Sequence, residues 1–371
     1  MNQRAPVPHR IPPQPSGPPL VKRGPLAPGM WALAMSLLML VPMRRAEAYP
    51  ISPVSLWSLT ERAELVVWAD VEAIEPAPAS GDDDPLGGAS VARLRIREAW
   101  KGQAPKGERL GVTFHPSVIC PAPPRYEPGH AVVAFLVRQG ETWWTAALSY
   151  GTRYPADAVE TEAYRQAVTR AHRAQVRATQ PATGSPKTDL EQGRLDWLVF
   201  VATQPALRWD GLYDLVPQAD TNHFFYDRSP AQTAPSLTQS HREQLADSFV
   251  KHPPNDQTLP MLLAVLRGHK NTAVDAVAAS ALESVFQNRK QAPPDWTGLA
   301  LDLLRERLGE KPVKPTAPLE DPLQATASGD DASDLGQRWE RFKQRHHLKP
   351  LVQSPPPHKP LVPGTGGDTP P

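Results

Sequence analysis

The stretch S-V-A-R-L-R-I-R-E-A-W at residues 90–100 decides the fold class, because Val91, Leu94 and Ile96 alternate with Arg93, Arg95 and Arg97. A two-residue period belongs to a strand with one buried and one wet face. Working outward, L-V-V-W-A-D-V-E-A-I (65–74) precedes it, and E-R-L-G-V-T-F-H (108–115), H-A-V-V-A-F-L-V-R-Q (130–139) and E-T-W-W-T-A-A-L-S-Y (141–150) follow in the same manner. Val, Ile and aromatic residues favour such pleated, half-buried surfaces. Gln139-Gly140 reads as a hairpin turn, Lys101-Gly102 and Lys106-Gly107 frame another loop, and a short helix over 54–62 caps one end. Residues 49–155 are therefore expected to form a five-stranded sandwich or small closed barrel.

From residue 156 the period changes. T-E-A-Y-R-Q-A-V-T-R-A-H-R-A-Q-V (161–176) aligns Tyr164, Val168, Ala171 and Gln175 on one helical face, and P-A-T-G-S-P-K-T (181–188) reads as a linker. Further helices are expected over 189–204 and 236–252, with the stretch 217–235, bearing Phe224-Phe225-Tyr226, as a loop docked by its aromatics. T-L-P-M-L-L-A-V-L-R-G-H-K-N-T-A-V-D-A-V-A-A-S-A-L-E-S-V-F (258–286) pairs two apolar helices through small Ala residues, which resembles a HEAT-type hairpin, and 295–309 closes the stack. The expected class is α+β and multidomain: a β-barrel, a connector over 156–188, an α-helical domain over 189–310 and a Pro-rich disordered tail.

The 371 residues include 45 Pro, of which 9 lie in residues 1–30 and 12 in residues 311–371. One globule from end to end is excluded by that clustering. Lys22-Arg23, the apolar run M-W-A-L-A-M-S-L-L-M-L-V-P-M (30–43) and Ala46-Glu47-Ala48 read together as an export signal over residues 1–48, leaving Tyr49 as the first mature residue. The run is shorter than the ~20 residues of a spanning helix, so the cleaved chain is expected to be exported, in the periplasm or outside the cell, and not membrane-spanning. A formal net charge of +1 gives no field for nucleic acid, and a single Cys excludes an internal disulfide.

Three segments carry a resemblance. A-E-L-V-V-W-A-D-V (63–71), L-R-I-R-E-A-W-K-G (94–102) and E-P-G-H-A-V-V-A-F-L (127–136) resemble a module of uncharacterised bacterial exported proteins: a strand after a helix, a strand ending in "KG", and a Gly-His pair opening a "vvFL" strand. That module is similar to the OB-type barrel of the netrin module and of the tissue inhibitors of metalloproteinases. Those inhibitors chelate zinc through an N-terminal Cys held by disulfides. The expected terminus here is Tyr49-Pro50 and no disulfide is possible, so the resemblance implies the barrel and not the inhibition.

Candidate sites are few. His115, Cys120 and His130 bracket a Pro-rich loop and supply two imidazoles and a thiol, but their spacing matches no metal-ligand frame. Four prolines between Cys120 and His130 fix that loop without a metal. G-D-D-D-P-L-G-G (81–88) lacks the alternate spacing of a calcium loop and reads as a solvated hairpin tip. Trp143 and Trp144 point to opposite faces of a strand, one to the core and one outward, where Trp68 or Trp100 would complete an aromatic platform. In the tail, S-D-L-G-Q-R-W-E-R-F-K-Q-R-H-H-L-K (333–349) forms a helix over 334–347 with Leu335, Trp339 and Phe342 on one side and Arg338, Arg341, Lys343 and Arg345 around them. So short a helix needs a surface: first the chain's own helical domain, otherwise a partner protein, an anionic lipid or an envelope polymer.

No G-x-S-x-G, Walker loop, G-x-G-x-x-G after a strand or H-E-x-x-H occurs. The expectation is a non-enzymatic, cofactor-free binding or scaffold protein of the bacterial cell envelope. Its partner is a protein or a glycan, with Trp143, Trp144, Trp339, Phe342, Arg338 and Arg341 as candidate contacts. A hydrolase, or an inhibitor of one, whose site forms only in the fold is the alternative.

Overall fold

The computed structural model describes residues 54–77, 88–118, 122–179, 186–216, 235–288, 292–311 and 329–349, all within one compact unit, Pro50–Pro371. The export signal, the carboxylate tip at 81–87, Cys120 and the 217–234 loop lie outside the described residues, as does most of the Pro-rich tail. Among the described residues, a six-stranded mixed sheet and nine α-helices make the fold α+β.

Helix α1 (Leu56–Arg62) starts at Ser55, whose Oγ accepts from the Ser58 amide, and leads into β1 (Leu65–Pro76). Strands β2 (Ser90–Lys101), β3 (Arg109–Phe114), β4 (Ala131–Gln139), β5 (Thr142–Thr145) and β6 (Thr152–Arg153) follow. The strand order is β1-β2-β3-β5-β4-β6, and β1 also pairs with β4, so the pairings of the first five strands return to their start. All ladders are antiparallel except β3 with β5, where Val112 faces Trp143 and Thr113 faces Trp144. Gly140, at φ 61°, turns β4 into β5 in a conformation that side chains disfavour.

The Lys-Gly pair that ends β2 has a physical reason. Lys101 Nζ donates to the carbonyls of Thr60 (2.6 Å) and Glu61 (3.2 Å), closing the C-terminal end of α1. Gly102 sits at φ 77° where a Cβ would come within 2.7 Å of the Glu64 carbonyl, so only glycine passes. Glu64 in turn accepts from the Arg138 amide (2.9 Å), which fastens the α1–β1 corner to β4.

Strand β4 explains how the two layers meet. Val132, Ala134 and Leu136 join a cluster inside the sheet with Leu65, Val67, Leu94, Ile96, Val112 and Phe114. Val133 and Phe135, pointing the other way, join a second cluster with Leu56, Trp57, Trp100 and the helices. A-V-V-A-F-L is thus an uninterrupted apolar run because both faces of the strand are buried.

The helices are α2 (Ala158–Thr179), α3 (Pro186–Thr203), α4 (Arg208–Leu215), α5 (Gln239–Lys251), α6 (Thr258–Val265), α7 (Thr272–Gln287), α8 (Trp296–Arg307) and α9 (Gly329–His346). Helix α2 packs on α1, β2 and α3, and Tyr164, Val168 and Ala171 of its apolar face are buried together with Ala167. Its Ala167 carbonyl accepts from Trp197 Nε1 (2.8 Å), and the Trp197 ring meets Trp57 edge-on at 5.2 Å. Where α4 crosses α3, a Cβ on Gly211 would lie 2.4 Å from the Ala202 nitrogen and 2.6 Å from the Leu198 carbonyl. Helix α6 is apolar all round and buried along its whole length. The expected pair α6 and α7 share α8 as their main neighbour, so the seam is filled by a third helix.

Candidate functional site

The outward residues of β2 fix the geometry of the best candidate. Arg93, Arg95 and Arg97 stand on one face at two-residue spacing, where unpaired guanidinium groups would repel one another. Strand β1 supplies the counter-charges: Asp70 lies opposite Arg95 and accepts from its Nη2 at 2.8 Å, and also meets Arg97. A register shift between Val71 and Ala73 brings the next carboxylates into line. Glu75 then accepts from Arg93 at 2.9 Å, and Glu72 accepts from Arg109 of β3 at 2.8 Å and reaches Arg95 at 3.4 Å. The Arg109 hydrogen bond is the chief reason the Glu72 carboxyl is held below its ordinary range.

Between these rows lies an open groove of about 420 Å³ lined by Glu72, Ala73, Glu75, Arg93, Arg109, Leu110 and Gly111. Gly111 faces Arg93 across the ladder, and a side chain there would crowd Arg93 Nη1 (3.0 Å) and Val91 Cγ1 (3.2 Å). The missing side chain is what leaves the groove its floor. Arg97 also stacks over Trp68, 4.7 Å from the ring centroid, adding an apolar edge to the charged face. The arrangement offers forked donors and carboxylate acceptors, with the apolar flank of Leu110 beside them.

The sequence pointed to other residues, and the structure distributes them. Trp143 borders the interior cluster, with Arg138 over its ring at 5.6 Å, and Trp144 lies 5.4 Å from the His115 ring; both indoles are half-buried, rather than one inside and one outside. Trp100 is buried against the helices, so it adds nothing to an exposed platform. His130 lies 3.8 Å from Glu127, and among the described residues no group of three His, Cys, Asp or Glu is placed to hold a metal. The described part of the Pro-rich loop is pinned by hydroxyls instead. Tyr126 and Thr145 share a 2.6 Å hydrogen bond, and Tyr154 accepts from the Glu127 amide (3.0 Å) while donating to the Arg125 carbonyl (2.9 Å). Burial pushes the Tyr154 hydroxyl up to about 12.

On α9, Trp339 and Phe342 are fully buried in the chain's own core, so their rings are not available to an outside partner in this arrangement. Trp339 stacks on Phe286 at 5.7 Å and donates from Nε1 to Glu283 (2.7 Å), which also accepts from Lys343 (2.7 Å). Arg338 donates to Asp302 of α8 (2.7 Å), and Arg341 lies exposed, 3.5 Å from Asp334.

Sequence reasoning missed the buried charges of α4, Arg208, Asp210 and Asp214, of which Asp210 ties two layers together. Asp210, at the start of α4, accepts from the Leu56 amide at 2.8 Å, capping α1 from the helical layer. Burial, partly offset by Arg153 and that amide, raises its pKa above the usual aspartate value. Its role is structural: it joins α1 to α4.

Comparison with protein-family models, with curated proteins and with solved structures finds no match to this chain.

Proposed function

We propose that the chain is a non-enzymatic, exported binding or scaffold protein of the bacterial cell envelope, recognising a protein or glycan partner through the groove on β1, β2 and β3. The observation that carries this reading is the lattice of Arg93, Arg95, Arg97 and Arg109 with Asp70, Glu72 and Glu75, set around an open groove rather than a closed pocket. Its side chains are held in place before any partner arrives, which lowers the ordering cost of recognition. The donors and acceptors suit hydroxyls and backbone amides, and the groove offers neither a buried nucleophile nor a base beside one. The strand pairings that return to β1 support an OB-like barrel as the platform, and the helices stacked through α8 support a HEAT-like array behind it.

The test is retention of the full chain on separate protein and glycan fractions of a bacterial envelope, beside the double variant R95Q/R109Q. Retention on one fraction that falls about 10-fold in the variant, at an unchanged melting temperature, supports the groove. Equal retention of both chains overturns it. Turnover of a generic ester, peptide or glycan substrate by the partner-free chain would favour the hydrolase alternative.

A further inference from the structure

Helix α9 carries two stripes offset by one residue. Trp339, Phe342 and His346 face inward, and Arg338, Arg341 and Arg345 follow the same three- and four-residue steps along the neighbouring face. Docking the aromatic stripe sets the arginine stripe against Arg305 of α8, and the four guanidinium groups line one cleft of about 130 Å³.

The cleft is under-compensated. Asp302 is shared by Arg305 (3.1 Å) and Arg338 (2.7 Å), and Glu310 is shared by Arg305 (2.6 Å), Arg345 (2.9 Å) and His346 (2.9 Å). Four guanidinium groups thus meet three carboxylates, an excess of one positive charge, and the third, Asp334, reaches only Arg341, at 3.5 Å on the solvent-exposed side. These contacts engage one nitrogen each of Arg338, Arg341 and Arg345, leaving most of their forked donors to solvent. The cleft, of about 130 Å³ and open on one side, has room for a phosphate group between the four guanidinium groups.

We propose that Arg305, Arg338, Arg341 and Arg345 form a binding site for a dianionic phosphate group, either free phosphate or pyrophosphate or the phosphomonoester headgroup of a lipid. Guanidinium forks match phosphate oxygens two at a time, and four of them around one small cleft suit a tetrahedral anion better than a planar carboxylate. Three of the four ligands ride on α9 and one on α8, so the site exists only while α9 is docked. Bound phosphate therefore stabilises the docked helix by linkage. The site shares no residue with the sheet groove, and the two readings stand or fall separately.

The experiment titrates the full chain with inorganic phosphate and with pyrophosphate by calorimetry at low ionic strength, against sodium chloride at matched ionic strength, which screens charge without filling the cleft. A parallel arm sediments the chain with phosphatidic acid vesicles and with neutral phosphatidylcholine vesicles. Variants R341Q and R345Q alter exposed side chains and leave the aromatic stripe intact; R173Q, exposed on α2, is the control. The expected result is saturable binding, weakened about 10-fold by either α9 variant and unchanged by R173Q, with trypsin cleavage in 338–349 slowed by the ligand. Binding in the soluble arm assigns the site to free phosphate, and binding to phosphatidic acid vesicles alone assigns it to a lipid headgroup. No saturable binding in either arm, or binding that R341Q and R345Q leave intact, overturns the proposal.

Discussion

Replacing Trp339 by Ala removes the largest fully buried side chain among the described residues, and the loss can be worked out from its surroundings. A buried Trp covers about 150–250 Å², which at about 25 cal/mol per Å² corresponds to roughly 4–6 kcal/mol of apolar burial. Measured Trp→Ala and Phe→Ala losses in cores run about 3–5 kcal/mol, and the stacking on Phe286 lies within that range. The hydrogen bond to Glu283 is also lost, but Lys343 and Gln287 still donate to that carboxylate, so no buried charge is orphaned. The cost has a ceiling. If docking of α9 is worth less than the ring itself, the helix lets go and no further loss follows. Phe342→Ala releases the same helix, so the double variant W339A/F342A should lose clearly less than the two single losses combined. Calorimetry should show melting lowered by on the order of 10 °C for W339A. Hydrogen exchange should show the amides of 335–346 losing protection while those of β4 keep theirs. A melting temperature within about 1 °C of wild type, with α9 protection unchanged, would refute the burial of this ring.

Four further outcomes follow from the same geometry. Gly211→Ala should destabilise by about 3 kcal/mol or more in denaturant melts, since its Cβ would meet α3 backbone that cannot move aside. Gly336→Ala on α9 meets nothing within 4 Å and should instead stabilise by about 0.5–1 kcal/mol, a gain read as slower exchange in α9. Asp210→Ala leaves the Leu56 amide without its acceptor inside the fold and should cost about 1–3 kcal/mol, measured by the same melts. At Glu283 and Glu310 burial pushes the pKa up, but hydrogen bonds from Lys343 and Trp339, and from His346 and Arg305, outweigh it and hold both below 4.5. Their stabilising contribution is therefore complete above about pH 4.5 and lost as pH falls through the lowered values, so protection of α9 in hydrogen exchange should fade on acidification below that point while neutral pH leaves it intact.

The strand pattern was legible because alternation is local: Leu94 and Ile96 turn inward with Ala92, and Arg93, Arg95 and Arg97 turn outward, as their spacing requires, whereas Val91, expected inward, has the parity of the arginines and lies beside Arg93 under Gly111. The Arg rows were likewise readable as a wet face. Their partners were not, because Glu72 meets Arg109 across 37 residues and only after a register shift in β1 that the sequence does not mark. The D-x-E-x-x-E spacing of Asp70, Glu72 and Glu75 is the one signal that would have suggested it. The parallel contact of β3 with β5 rests on two residue pairs and has no local signature. Helix α9 was legible as an amphipathic helix in search of a surface, and its surface, Phe286 and Glu283 of α7, lies more than 50 residues earlier. Asp210 looked like any charge after a Trp, since burial is a property of the assembled layers and not of the four residues around it.

The hydrogen bond from Leu56 to Asp210 spans 154 residues of chain. Helix α1 is the first described element, yet its amino end and its Trp57 ring are completed only by residues of α3 and α4. A chain that emerges amino end first, from a ribosome or through a pore, can pair β1 to β4 early. It must then hold α1 unfinished until residue 210 has come through. Closing that contact carries the loop-closure cost of 154 residues, against 25 for Asp70 with Arg95 within the sheet. Until that moment Trp57 lacks the Trp197 ring that meets it edge-on, and the half-emerged chain exposes apolar surface that the finished one covers.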